Sequence, residues 1–122
     1  MEFGDRELEV MAILWELGSG TVSEVRERLP DELAYTTVLT TLRNLEAKGF
    51  LRHEAEGKAH RYFPSVARQA AERSAVSRLI ETMFGGSPEL LLTKLVDDHP
   101  LSAEQLRTLR RKLQQRIGEE ER

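Results

Sequence analysis

One segment constrains the fold of this chain more than any other: an amphipathic helix followed at once by a hairpin. Residues 34–48 place apolar and polar side chains on opposite sides of a helical wheel. The apolar side consists of Val38, Leu42 and Leu45. Residues 50–64 then read as two short strands around Gly57, which can take the positive φ of a turn. A helix that could enter the major groove of DNA, followed by a hairpin, is typical of a winged helix-turn-helix. The pattern therefore predicts DNA binding.

The preceding residues supply the rest of that fold. Asp5 is a reasonable N-cap for a first helix, which the Gly18-Ser19-Gly20 segment ends. We expect residues 21–22 to pair as a short strand with the hairpin, and residues 23–29 to form a second helix ended by Pro30. So short a connection between two helices is typical of a helix-turn-helix.

The polar side of helix 34–48 is rich in threonine, a poor choice for helix propensity but a good one for contacting bases. We predict that the bases are read by Thr36, Thr37, Thr40 and Arg43. We predict that the DNA backbone is contacted by Tyr35, Lys48, Arg52, Lys58, His60 and Arg61. Leu39, at the edge of this side, either contacts a thymine methyl or shields the core.

The net charge of −3 argues against a partner as acidic as DNA, but the distribution of charge weakens that objection. Residues 1–64 carry 8 basic and 12 acidic residues, and residues 65–122 carry 10 and 9. The acids are concentrated in residues 2–32, whereas five cations fall in the helix and hairpin. The local field, rather than the net charge, decides phosphate contact. So weakly basic a surface predicts modest affinity per subunit and hence binding by two subunits.

The sequence pattern changes after residue 64 to a series of short amphipathic helices. We predict that residues 65–122 form a three-helix dimerisation region following a winged-helix domain at residues 1–64. The helices are expected at 65–84, at 89–98 and from Ser102 onward, and they are too short to enclose a core. A homodimer would bury their apolar stripes; the alternative is that they fold back on the winged helix in a monomer. The stripe residues are Val76, Leu79, Ile80, Met83, Leu91, Leu92, Leu95, Leu106, Leu109, Leu113 and Ile117.

Several classes of protein are disfavoured. The chain has no cysteine, which excludes disulfides, thiol nucleophiles and most structural zinc sites, and its three histidines are too few for a metal site. We therefore expect no metal and no cofactor. No catalytic constellation can be assembled, so we do not expect an enzyme. No apolar run is long enough to span a membrane and the first residues are acidic, which predicts a cytoplasmic protein.

Four motifs together resemble the penicillinase-repressor family, also called the BlaI/MecI/CopY family. They are the residues at 8–15 (LEVMAILW), 34–42 (AYTTVLTTL), 48–51 (KGFL) and 60–64 (HRYFP). The resemblance covers essentially the whole chain. It implies a dimeric repressor that binds an inverted-repeat operator, with helix 34–48 in the major groove, the hairpin as the wing and intertwined C-terminal helices.

The same resemblance implies how repression ends. In the antibiotic-resistance members a membrane-bound sensor triggers cleavage, by a regulatory protease, of an Asn-Phe pair in the dimerisation helices. The corresponding position here is Lys94-Leu95, which departs from that pattern. Copper-responsive members carry a cysteine-rich metal site, which a chain without cysteine cannot form.

Two other functions remain open at the level of sequence. A winged helix can serve as a protein-interaction module, and the net negative charge favours this alternative. A winged-helix repressor can also sense a small ligand between its domains, for which the alanine-rich start of the fourth helix leaves room.

Overall fold

The computed structural model describes all 122 residues, which form two compact units, Met1–Arg78 and Leu79–Arg122. The elements in chain order are α1 (Asp5–Leu17), β1 (Gly20–Thr21), α2 (Val22–Arg28), α3 (Tyr35–Ala47), β2 (Leu51–Glu56), β3 (Ala59–Pro64), α4 (Arg68–Met83), α5 (Pro88–Asp98) and α6 (Ala103–Glu120). The predicted class, mostly helical with a small hairpin in a winged helix-turn-helix, is confirmed. Helix α4 runs across the division between the units.

Helix α1 begins one residue away from the predicted cap. Gly4 is the capping residue and Asp5 is the first helical residue. The Gly4 N–H donates to Glu7 Oε1 at 2.8 Å, so a glutamate in the first turn satisfies the free backbone donor. The prediction of Asp5 as the cap was therefore wrong: the capping residue is Gly4, which has no side chain to accept a hydrogen bond, and Glu7 satisfies only the Gly4 N–H.

Helices α2 and α3 form the helix-turn-helix. Thr21 Oγ1 accepts a hydrogen bond from the Glu24 N–H at 3.3 Å and caps α2. Pro30 lies just past the end of α2, and α3 begins at Tyr35 after an extended Ala34. Helices α1, α2 and α3 and the sheet share one apolar core. Its buried members are Val10, Met11, Leu14, Val22, Val25, Leu29, Val38, Leu42, Leu45, Leu51 and Tyr62.

The sheet has three antiparallel strands in the order β1-β3-β2, so β3 lies in the middle. Strand β1 is as short as predicted but lies one residue earlier than expected, at Gly20–Thr21, because α2 already begins at Val22. Thr21 pairs with Arg61. Strands β2 and β3 form a hairpin, here called the wing, closed by the two-residue turn Gly57-Lys58. Gly57 has a φ of +60° at the first turn position, where hairpin turns favour glycine.

The second unit contains α5, α6 and the end of α4. The Ser87 hydroxyl caps α5, and Ser102 and Gln105 form a capping box at the start of α6. Neither α5 nor α6 contains a buried residue. None of the helices in the chain has both the length and the apolar character needed to cross a membrane. The predicted domain boundary at residue 64 stays a prediction.

Candidate nucleic-acid interface

Helix α3 presents a polar face because its apolar face is held in the core. Val38, Leu42 and Leu45 are at most 1% exposed and fix the rotation of the helix about its axis. The four side chains predicted to read bases are consequently all exposed: Thr36, Thr37, Thr40 and Arg43. Leu39 is half-buried and packs against the core, which favours shielding over thymine contact.

The threonine hydroxyls on this face are not equivalent. Thr40 Oγ1 donates to the Thr36 carbonyl at 2.8 Å within the helix, so its hydroxyl oxygen remains as an acceptor beside an exposed methyl group. The hydroxyls of Thr36 and Thr37 make no hydrogen bond within the protein. They can therefore both donate and accept, whereas Thr40 in this rotamer is suited to accepting from a base amino group or packing on a thymine methyl.

The predicted cations of α3 and the wing divide into two groups. Arg43 on α3 and Lys58 in the wing turn are exposed and form no ion pair within the protein. The other three, Lys48, Arg52 and Arg61, are paired with carboxylates. A cation that already has a partner contributes less binding free energy to a phosphate contact, since the existing ion pair must first be broken. Arg43 and Lys58 are thus the cations most ready for an external anion.

Lys48 lies just past the end of α3 and donates to Glu7 Oε1 at 2.7 Å. Burial raises the pKa of the Glu7 carboxyl, but the hydrogen bonds from Lys48 and from the Gly4 N–H lower this pKa by more than burial raises it. The net shift is therefore downward. The contact joins the start of α1 to the end of α3, and the two groups are 41 residues apart in the chain.

The outer face of the wing carries Arg52 and Arg61. Arg52 Nη1 donates to Glu54 Oε1 at 2.7 Å, and its guanidinium lies 4.3 Å from the centroid of the Phe63 ring on the neighbouring strand. Arg61 is held by Glu24 from α2 and Glu56 from β2. In this conformation both arginines face other side chains of the protein.

The inner face of the wing carries a cluster of rings against the end of α3. His53 Nδ1 lies 2.6 Å from Glu46 Oε2, and the ring of His60 stacks on that of His53 with centroids 4.3 Å apart. Tyr62 beneath them is 1% exposed, and burial raises the pKa of its phenol. His60 and Tyr35, both predicted to contact the DNA backbone, are exposed.

The residues predicted to form a dimer lie on α4, α5 and α6. Ile80 and Leu91 are half-buried, and the remaining nine are exposed. The exposed ones are Val76, Leu79, Met83, Leu92, Leu95, Leu106, Leu109, Leu113 and Ile117. Lys94 and Leu95 lie inside α5, where Lys94 is paired with Asp98 one turn later.

Sequence reasoning missed the carboxylates that hold the cations. Glu7 binds Lys48 and Glu24 binds Arg61, both of which were predicted to contact the DNA backbone. These pairs are 41 and 37 residues apart in the chain, so no local spacing signals the pairing. Only the fold brings them together.

An exposed polar helix, a capped helix-turn-helix and a three-stranded sheet that carries the wing define a winged helix-turn-helix protein of the kind found among transcription regulators. The family model "Penicillinase repressor" matches residues 3–115, and the chain belongs to that family.

Relatives in that family share much of the length. The penicillinase repressor of Bacillus licheniformis is 26% identical over 110 residues, covering 88% of this chain and 86% of that protein. The transcriptional regulator BlaI of Mycobacterium tuberculosis is 34% identical over 114 residues, covering 90% and 81%.

Solved structures agree on the fold. The DNA-binding domain of the repressor BlaI in solution matches with a TM-score of 0.51 and 33% identity, covering 55% of this chain and 84% of that one. A MarR family protein from Bacillus stearothermophilus matches with a TM-score of 0.52 at 18% identity, covering 100% of this chain and 78% of that one. The second likeness concerns the fold alone.

Proposed function

We propose that this protein is a homodimeric DNA-binding repressor that recognises an inverted-repeat operator through α3 and the wing. The observation that carries the proposal is the face of α3: three threonines and an unpaired arginine, all exposed, opposite a fully buried stripe. Membership of the penicillinase-repressor family and the likeness of 55% of this chain to the DNA-binding domain of BlaI support it.

In this proposal α3 lies in the major groove and reads bases with Thr36, Thr37, Thr40 and Arg43. Arg43 can donate two hydrogen bonds to one guanine, and this contact distinguishes guanine from the other bases. Lys58, exposed at the wing turn, contacts a phosphate and contributes to affinity and register but not to sequence choice. Tyr35, Lys48, Arg52 and His60 remain candidates for further backbone contact.

The second unit supports the proposed dimer. Helices α5 and α6 contain no buried side chain, although leucines and an isoleucine recur along them at helical spacing. Exposing so many large apolar side chains in water is unfavourable, and a second copy of the same helices would cover them. Two recognition helices in such a dimer would lie about 34 Å apart, or a multiple of that distance.

Release would act on the dimer. Loosening the helices around Lys94 and Leu95 would convert one bivalent contact with DNA into two monovalent contacts. The affinity would fall by about 10²- to 10⁴-fold. A regulatory protease is one agent for this step. The Lys94-Leu95 bond lies inside a helix, so the helix would have to unwind before cleavage.

The test is fluorescence anisotropy with labelled duplexes from the intergenic DNA upstream of the protein's own gene, at two salt concentrations, against unrelated competitor DNA. The proposal expects competitor-resistant binding with two protomers per site and affinity that falls with salt. A folded, dimeric protein that prefers none of these duplexes over the competitor would instead favour the protein-interaction module.

A further inference from the structure

The guanidinium of Arg61 is saturated by the protein itself. Its Nε donates to Glu56 Oε1 at 3.1 Å, Nη1 donates to Ser19 Oγ at 3.3 Å and to Glu24 Oε2 at 3.1 Å, and Nη2 donates to Glu24 Oε1 at 2.7 Å and Glu56 Oε2 at 3.0 Å. A guanidinium has five N–H donors, and all five are used here. The predicted contact of Arg61 with the DNA backbone would require some of these bonds to break.

The three partners come from three separate parts of the first unit. Ser19 precedes β1, Glu24 lies in the first turn of α2, and Glu56 is the last residue of β2 before the wing turn. Arg61 itself is in the central strand, where it pairs with Thr21 on one side and Glu54 on the other. One side chain thus joins the helix-turn-helix to the far end of the wing.

The two carboxylates are held in the same way. Each offers both of its oxygens to the guanidinium, a forked arrangement that fixes direction as well as distance. Arg61 is 24% exposed as a side chain and Glu24 is 42% exposed, so the cluster lies at the surface but is partly shielded. The hydrogen bond from Arg61 also lowers the pKa of Glu24 below its ordinary value, so that this carboxyl stays charged.

We propose that Arg61 is a positioning residue: by joining Glu24 of α2 to Glu56 of the wing, it fixes where the wing turn presents Lys58 relative to α3. Lys58 lies two residues after Glu56, has no partner of its own and carries the charge that would meet a phosphate. The inference rests on the proposed DNA binding. It replaces the expected role of Arg61 as a phosphate contact.

The two roles predict opposite signs for one substitution. If Arg61 contacted a phosphate, Glu24→Gln would free it and remove a negative charge, so DNA binding would become tighter. If Arg61 positions the wing, Glu24→Gln releases one side of the junction, so binding becomes weaker by about 3- to 30-fold. Glu27→Gln is the matched control, because Glu27 is an exposed glutamate on the same helix with no ion pair.

Arg61→Lys separates the two roles a second time. A lysine keeps the charge that a phosphate needs but cannot form a fork with two carboxylates at once. The positioning role therefore expects Arg61→Lys to weaken binding about as much as Arg61→Gln does. Retention of near wild-type affinity by Arg61→Lys would overturn it.

The route through Lys58 is tested by a double-mutant cycle. The positioning role expects Arg61→Gln to weaken binding in the wild-type background but to add less than about 2-fold once Lys58→Gln is present. Additive losses would mean that Arg61 acts by another route, and this inference would be wrong. A purely structural role would lower the melting temperature without this dependence on Lys58.

All variants would be measured as full-length chains on a duplex that the wild-type protein selects from a random-sequence pool, with circular dichroism melting to show that each is folded. Wild-type protein that selects no sequence would overturn the proposed function, and this inference with it. Wild-type protein that selects a sequence, together with a Glu24→Gln variant that binds it at least as tightly as Glu27→Gln, would overturn this inference alone.

Discussion

Val38, Leu42 and Leu45 in the first unit are at most 1% exposed, whereas Leu106, Leu109, Leu113 and Ile117 in the second are at least 39% exposed. Both sets recur at helical spacing and both look like core in the sequence. The difference is that the first set meets two other helices and a sheet, while no element of the second unit encloses the other set. Equal apolar patterns therefore form a buried core in one unit and, under the proposed function, a dimer interface in the other.

The largest expected effect comes from charging that interface. Leu109→Glu with Leu113→Glu should abolish the dimer and weaken operator binding by about 10²- to 10⁴-fold, because each subunit then binds alone. Sedimentation equilibrium gives the mass and anisotropy gives the affinity. Gln114→Glu with Gln115→Glu adds the same charge on the same helix and should leave both unchanged. A monomeric wild-type protein would contradict the comparison.

A cavity in the core of the first unit should have the second-largest effect, on the stability of the fold rather than on the dimer. Leu42→Ala should lower the free energy of unfolding by about 2–5 kcal/mol, because Leu42 is completely buried at the centre of α3. Urea unfolding at several protein concentrations would show a loss that does not vary with concentration. For Leu92→Ala in α5 the loss should depend on concentration, since its apolar contacts would form only in the dimer.

Changing a base-reading side chain should have an intermediate effect. Arg43→Ala should cost about 1–3 kcal/mol in operator binding and relax preference at one base pair, because Arg43 is exposed and has no partner inside the protein. Anisotropy with single-base variants of the operator measures this. An equal loss on unrelated DNA would make Arg43 a phosphate contact.

Removing the wing-turn cation should have a smaller effect that does not depend on sequence. Lys58→Ala should weaken binding to all duplexes alike and reduce the slope of log affinity against log salt by about 1. A titration series from low to moderate salt gives the slope. A change in sequence preference would show that Lys58 reaches a base.

The smallest effect concerns acid. The hydrogen bond from Arg61 lowers the pKa of Glu24 from its ordinary value of 4.5 in the folded chain. Glu24 therefore stabilises the fold above its unfolded pKa, and that contribution is lost as pH falls through its lower folded pKa. Urea unfolding between about pH 6 and pH 3 should show a steeper loss for wild type than for Glu24→Gln. Parallel curves would contradict this.

The sequence predicted the elements that local patterns specify. The apolar stripe of α3 and the glycine at the wing turn are each specified by a pattern of a few residues, and both are present. The short strand β1 is present too, one residue earlier than predicted. The first helix cap was missed because the capping residue is a glycine, which has no side chain to signal the cap in the sequence.

The partners of the site residues could not be predicted in the same way. Nothing near Arg61 in the sequence indicates Glu24, and nothing near Lys48 indicates Glu7. Only the packing of α2 on the sheet brings the first pair together, and only the packing of α1 on α3 brings the second. The cations could therefore be predicted from the sequence, but not which of them are already held in ion pairs.

The chain has a single tryptophan, and its position gives the first unit an optical signature of its own. Trp15 lies in α1, where its Nε1 donates to the Val66 carbonyl at 2.9 Å and its ring meets Phe3 edge-on. Its emission therefore responds to unfolding of the first unit, while α5 and α6 add helical ellipticity but no indole. Melting curves followed by emission and by ellipticity should separate wherever the two units lose their structure at different temperatures.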